Sequence, residues 1–145
     1  MSKDILLPII GIKQKHMHCG PACVEMILKF YGYDNIDQNT IGRDLRIKIK
    51  RGCYPSDVIR YLKRFNIETE KVKNIELISK ISEGRPIVLG QKDHFMLLIG
   101  IEGDQYLYID PYTGRRNKDK LEFFKKDTVD LILIKKVGIK SGRKI

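Results

Sequence analysis

Cysteine and histidine are scarce in this sequence, acids are short, and no apolar run is long enough to cross a membrane. Three cysteines, an odd number in a chain of 145 residues, exclude the dense disulfide framework of a small secreted scaffold. They read as reduced thiols, with the cytoplasm as the expected location. The apolar stretch Ile5 to Ile12 is interrupted by Pro8 and preceded by Asp4, and it lacks a small-residue cleavage site. It reads as a first strand or packed arm rather than a signal peptide, and nothing here would span a membrane. There is no internal repeat and no low-complexity linker. The expected organisation is therefore one domain, residues 1–135, followed by a basic tail, 136–145.

The shortage of acids gives 28 Lys and Arg against 18 Asp and Glu, a formal net charge of +10. That balance favours acidic partners without saying anything about fold. The basic residues concentrate in RDLRIKIKR, from Arg43 to Arg51, and in the acid-free tail from Lys135 to Ile145. Neither carries an aromatic stacking platform or a nucleic-acid motif. Both read as solvated surface, and nucleic acid is not expected as a partner.

What is present centres on QKHMHCGPACVEMILKFYG, Gln14 to Gly32. It holds two of the three cysteines and two of the three histidines. Ala22, Cys23, Met26, Ile27 and Phe30 follow the spacing of one helical face. Val24, Leu28 and Tyr31 widen it, leaving Glu25 and Lys29 as the expected solvent side. Pro21 suits a first turn, and Gly32 a left-handed terminus. Cys19 falls at the mouth of this helix, where unpaired N–H groups and the helix dipole favour thiolate. Cys23, on the apolar stripe, reads as a small buried hydrophobe.

Further along, Gly32 to Gln38 reads as a turn, and Asn39 or Thr40 as the cap of a short helix reaching Leu45 or Ile47. Tyr54-Pro55-Ser56-Asp57 opens another helix, with Val58, Ile59, Leu62 and Phe65 inward and Asn66 as its terminator. Ile67 to Val72 reads as a strand, and Leu77 to Ile81 as a third helix ending near Gly84. Pro86 to Leu89 reads as a short buried strand. His94 to Ile101 and Gln105 to Asp110 form a hairpin, followed by the turn Pro111 to Gly114. Lys118 to Lys125 reads as a helical or loop crossover, and Val129 to Ile134 as the last strand. The class is α+β, helices first and an antiparallel sheet after them.

The hairpin supplies a base. A three-residue loop pairs residues of equal parity, so His94 and Asp110 share a face, directly opposite or one diagonal step apart. That separation is about 5 to 8 Å. A carboxylate beside an imidazole fixes its tautomer and supports its charged form. The face made by Phe95, Leu97, Ile99, Leu107 and Ile109 is expected to pack on the core.

Gln14, the block Cys19-Gly20-Pro21-Ala22-Cys23, Met26 and Tyr31-Gly32 resemble the opening motif of the bacteriocin-processing cysteine peptidases. These are double-glycine leader peptidases, often fused to peptide-exporting ABC transporters. The likeness continues through Gly52, the helix Asp57 to Phe65, Pro86-Ile87-Val88, His94-Phe95 and Ile109-Asp110-Pro111-Tyr112-Thr113-Gly114. It implies a papain-like fold, with Cys19 as nucleophile, His94 as base, Asp110 as its orienter and Gln14 as an oxyanion-hole donor. It implies a peptide or precursor-peptide substrate cut after small residues such as Gly-Gly, a separate peptide exporter as partner, and no cofactor. Two positions depart from that family. His18 stands where an acidic residue commonly precedes the Cys, and the Gln-to-Cys interval is one residue shorter. The chain carries no GxxxxGK[ST] loop, so the expectation is a stand-alone domain without the transporter part.

Other readings compete. Deamidation or transglutamination would use the same thiol intermediate with a different acceptor, and a silent peptide-binding domain would keep the fold without turnover. A metal site from His16, His18, Cys19 and Cys53 would need paired spacing such as CxxC or HxxxH, which is missing; no metal is expected.

Overall fold

The computed structural model describes residues 4–50 and 52–138. Arg51, from the first basic run, and residues 139–145, most of the expected tail, lie outside the described residues. The arm begins with β1 (Ile5–Leu6) and buries Leu7 and Ile9. Next, α1 (Cys19–Phe30) buries every residue from Gly20 to Leu28. Gly32 ends it with φ 93°, as its position predicts.

Glu25 is a correction. It is buried rather than on a solvent side, and its carboxylate accepts the Gln38 N–H at 2.7 Å. The helix α2 (Gln38–Asp44) covers it. The cap of α2 is Asp37, not Asn39 or Thr40: its carboxylate accepts the Thr40 N–H at 2.9 Å. After α3 (Ile47–Lys50) comes α4 (Pro55–Lys63), with Asn66 left-handed at φ 61°. Then β2 (Ile67–Val72) forms where the sequence places it, and a 3₁₀ segment (Ile75–Glu83) replaces the expected third α-helix.

The second half is β3 (Ile87–Gln91), β4 (His94–Glu102), β5 (Gln105–Asp110), β6 (Arg115–Lys120), α5 (Leu121–Asp127) and β7 (Thr128–Val137). The expected crossover Lys118 to Lys125 is thus the end of one strand and the start of a helix. β7 also runs beyond the Val129 to Ile134 read from sequence. The strands order β2-β7-β3-β4-β5-β6, with β1 beside β4, and all their pairings are antiparallel. Both faces of β4 are buried, not one: Phe95, Met96, Leu97, Leu98 and Ile99 are all inside. Phe124 of α5 stands edge-on to Tyr106 and Tyr108, covering a face the alternation had left open.

The hairpin register differs from expectation in a way that matters. Glu102 pairs with Gln105 across a two-residue turn, and Gly100 with Leu107. That register joins residues of unequal parity, and continued to Asp110 it would set that residue on the opposite face from His94. A bulge between Leu98 and Gly100 shifts the pairing to Leu98 with Tyr108. The extra residue, Ile99, accepts the Leu7 N–H through its carbonyl at 2.9 Å. Parity is restored, and His94 and Asp110 come within one diagonal step.

Candidate active site

Cys19 is the first residue of α1, half-buried and unoxidised. His18 precedes it without a side-chain cap, so the first N–H groups of the helix are not taken by a capping oxygen. Met17, two residues before the thiol, is left-handed at φ 63°, which turns the chain sharply into the helix. The His18 side chain lines a separate hollow and not the one that holds Cys19. Its Nδ1–H donates to the His16 carbonyl at 2.6 Å, and the ring lies so close to Gly42 that no Cβ fits there.

His94 opens β4 immediately after Asp93, another left-handed residue with φ 61°. Its Nε2 lies 2.8 Å from Asp110 Oδ1. With that nitrogen committed, Nδ1 is the one left for the sulfur of Cys19. The Cys19 thiol raises the His94 imidazole above its ordinary value most, Asp110 adds to this, and partial burial works against both. The same Asp110 oxygen accepts the Tyr112 N–H at 3.0 Å. The Asp110 carbonyl accepts the N–H groups of Thr113 and Gly114, so the orienting carboxylate belongs to a closed turn.

Gln14 is tied to that turn. Its N–H donates to the Pro111 carbonyl at 2.6 Å. Gln38 clamps the backbone on either side of it, accepting from Lys15 N at 2.8 Å and donating to the Lys13 carbonyl at 2.9 Å. Because Glu25 on α1 holds Gln38 in turn, the polar chain runs from the nucleophile's helix to Gln14. The Gln14 Oε1 is buried without a partner. Gln14 borders a hollow with Met17 and Tyr112, while Cys19 and His94 line the adjoining cleft of about 620 Å³. Met17 borders both.

Cys19, His94 and Asp110 therefore come together, with Gln14 beside them across Met17. The alternative metal set does not converge. His16 and His18 line a basic hollow with Gly42, and Cys19 and Cys53 line the cleft. Among the described residues no group of three or more His, Cys, Asp or Glu could hold a metal ion. Gln91, opposite His94 across the β3–β4 turn, also lines the cleft, but the hydrogen bond to His94 Nε2 is from Asp110.

Sequence reasoning missed Gln38, Gly42 and Asp130. Gln38 stood at the end of a reputed turn. Asp130 sat within a strand read only as apolar, yet it is buried and lines the cleft. The signal that could have found it was a lone acid interrupting Val129 to Ile134.

A thiol at the mouth of a buried helix, facing an imidazole and carboxylate on an antiparallel sheet, defines a papain-like cysteine peptidase. The solved structures that match agree in fold. A double-glycine motif protease from an AMS/PCAT transporter, in complex with the leader peptide, has 18% identity and a TM-score of 0.76, covering 95% of this chain and 100% of that one. The peptidase domain of Streptococcus ComA, a bifunctional ABC transporter, has 18% identity and a TM-score of 0.74, covering 87% and 96%. A C39-like peptidase from Bacillus anthracis has 12% identity and a TM-score of 0.72, covering 94% and 100%. A search of curated proteins finds no match. The model of the peptidase C39 family matches residues 10–137, and the chain belongs to that family. No helix among the described residues is long and apolar enough to cross a membrane.

Proposed function

We propose that this peptidase cuts a precursor peptide after small residues such as a Gly-Gly pair, using Cys19, His94 and Asp110. The observation that carries the assignment is the His94 ring, held at 2.8 Å by Asp110 and raised toward its charged form by the Cys19 thiol. The Cys19 thiolate adds to the scissile carbonyl, forming a C–S bond. The developing oxyanion is met by the Cys19 N–H and the Gln14 side-chain amide, each worth about 3 to 4 kcal/mol in such sites. His94 protonates the leaving amine as the C–N bond breaks. It then takes a proton from water, which opens the thioester and releases the acid. Asp110 keeps the imidazole in place throughout.

The substrate preference is supported by family membership and by the leader-peptide complex of the double-glycine protease. A separate exporter in the cytoplasmic membrane would then receive the product. The domain reading, one peptidase unit followed by a basic tail, is part of the same proposal, with β7 carrying the unit to Val137 rather than to residue 135. The test is incubation of the protein with Gly-Gly precursor peptides and mass analysis of the products. Cleavage after the pair, lost in Cys19→Ala and His94→Ala and retained in EDTA, is expected. Intact peptide with the wild-type protein would overturn the assignment, and a product one mass unit heavier at a Gln would turn it into deamidation.

A further inference from the structure

Asp130 on β7 stands opposite Gly90 on β3, and Gly90 stands opposite Phe95 on β4. A Cβ added at Gly90 would lie 3.5 Å from the Asp130 Cβ and 3.7 Å from the Phe95 ring. One added at Gly20 would lie 3.4 Å from the same ring. Asp130, the bare Gly90, Phe95 and the backbone beside Cys19 thus form one row across a single sheet face. With strands about 4.8 Å apart and an extended peptide rising about 3.3 Å per residue, the row covers roughly three residues of substrate.

The carboxylate in this row is under-supplied. Asp130 is 8% exposed, and its Oδ1 is buried without a hydrogen-bond donor. The Lys73 ammonium pairs with that same oxygen at 3.7 Å, from a side chain that is 77% exposed. Buried carboxylates ordinarily gather several donors, and one that does not is costly to keep. Gly90, Phe95 and Asp130 line the same cleft as Cys19.

Charge distribution points the same way. In a chain of net charge +10, the two neighbouring hollows are lined by Lys, Arg and His without a single acid. The Cys19 cleft instead carries Asp93 and Asp130 beside Lys92 and His94. Acid is concentrated where substrate would lie.

We infer that Asp130 selects a cationic side chain of the substrate, arginine above lysine, within three residues of the scissile bond; this rests on the peptidase reading above. Arginine is favoured because its planar fork can satisfy both carboxylate oxygens. A Gly-Gly pair before the bond leaves the third residue before it, and those after it, for this contact.

The experiment walks arginine, and its neutral isostere citrulline, through the three positions on either side of the bond. It measures kcat/KM with the full chain and Kd with Cys19→Ala. At one position arginine is expected to win by about tenfold or more in both measures. Asp130→Asn should erase that preference, so that arginine and citrulline peptides are cut and bound alike. Lys73→Ala, a surface change, should enlarge it by freeing the carboxylate. Cleavage with no charge preference, or a preference that survives Asp130→Asn, overturns the inference but not the peptidase. Selective binding to Cys19→Ala, with no cleavage by the wild type, overturns the peptidase reading and keeps the subsite. If Asp130→Asn does not fold, an unchanged preference in Lys73→Ala decides against it.

Discussion

Cys19 at the mouth of α1 and Cys53 just ahead of α4 line the same cleft, and both are half-buried free thiols. Cys53 packs on the backbone next to Cys19: a Cβ on Gly20 would fall 2.5 Å from the Cys53 sulfur. Their neighbours differ. Cys19 faces an imidazole held by a carboxylate. Cys53 points its S–H at the Tyr54 carbonyl, 3.9 Å away. Burial pushes the Cys53 thiol up to about 12, and the Asp57 carboxylate pushes in the same direction. A helix mouth alone therefore does not make a nucleophile. The group facing the sulfur decides whether the charge on it is welcome.

The largest effect that tests this contrast is alkylation. With a pKa of about 12, Cys53 is thiolate in only about one molecule in 10⁵ at pH 7. Iodoacetamide should modify Cys19 at least a hundredfold faster than Cys53 or the buried Cys23, whose thiol burial also raises. Mass mapping of the modified peptides measures the ratio. Equal rates would mean the His94 ring does not activate Cys19.

Next in size is Gln14→Ala. If its amide meets the oxyanion, kcat should fall about 10²- to 10³-fold with KM nearly constant, and Cys19 should alkylate as before. An unaltered kcat would remove Gln14 from the reaction. The Gln14 backbone is pinned by Pro111 and Gln38, so the mutant's loop should keep its shape.

Asp110→Asn should have a smaller effect, lowering kcat/KM about 10- to 100-fold. Its sharper signature is in pH. In the wild type His94 is raised, first by the Cys19 thiol and then by Asp110. Its charged form therefore persists above the ordinary imidazole range, and activity falls only as pH rises through that elevated value. Removing the carboxylate moves the basic limb to lower pH. The stability linked to the same shift is fully present below the unfolded value of about 6.5 and lost as pH rises through the folded one. A pH–rate profile with an unmoved basic limb would assign the orienting role elsewhere, with Gln91 the nearest candidate.

How far these features could be read from sequence follows the strength of local signals. The spacing from Ala22 to Phe30 and the glycine or asparagine terminators at Gly32, Asn66 and Gly84 carry their own conformational reasons, and each forms as expected. β6, RRNKDK, has no apolar alternation to detect because it is an edge strand exposed along its length. The pairing of His94 with Asp110 was legible, but by a compensated error: the turn is one residue shorter than expected and the bulge at Ile99 adds one back. Only the β1 arm and Gly100, packed against the Ile5 carbonyl, reveal why the bulge sits there. Glu25 and Gln38 were illegible because their partners are 13 to 25 residues away. Such polar clamps have no periodicity.

The smallest expected effect concerns the mouth of α4 itself. Asp57 is buried there, yet accepts hydrogen bonds from Lys50 at 2.7 Å, Arg60 at 2.8 Å and Tyr54 N at 2.9 Å. Burial pushes its carboxyl up, but the bonds from Lys50, Tyr54 and Arg60 hold it below its ordinary value. A depressed carboxylate contributes stability that is present above the unfolded value of about 3.9 and lost as pH falls through the folded one. Asp57→Asn should therefore cost about 1 to 2 kcal/mol at pH 7, reduced from the fully buried case because Arg60 is 64% exposed. The deficit should shrink on acidification below pH 4, as urea unfolding at two pH values would measure. The substitution also removes the charge that raises Cys53, while burial, the larger cause, stays. Cys53 should then alkylate only severalfold faster and remain far behind Cys19. If instead it caught up with Cys19, the difference between the two mouths would lie in the carboxylate beside one sulfur rather than in the imidazole facing the other.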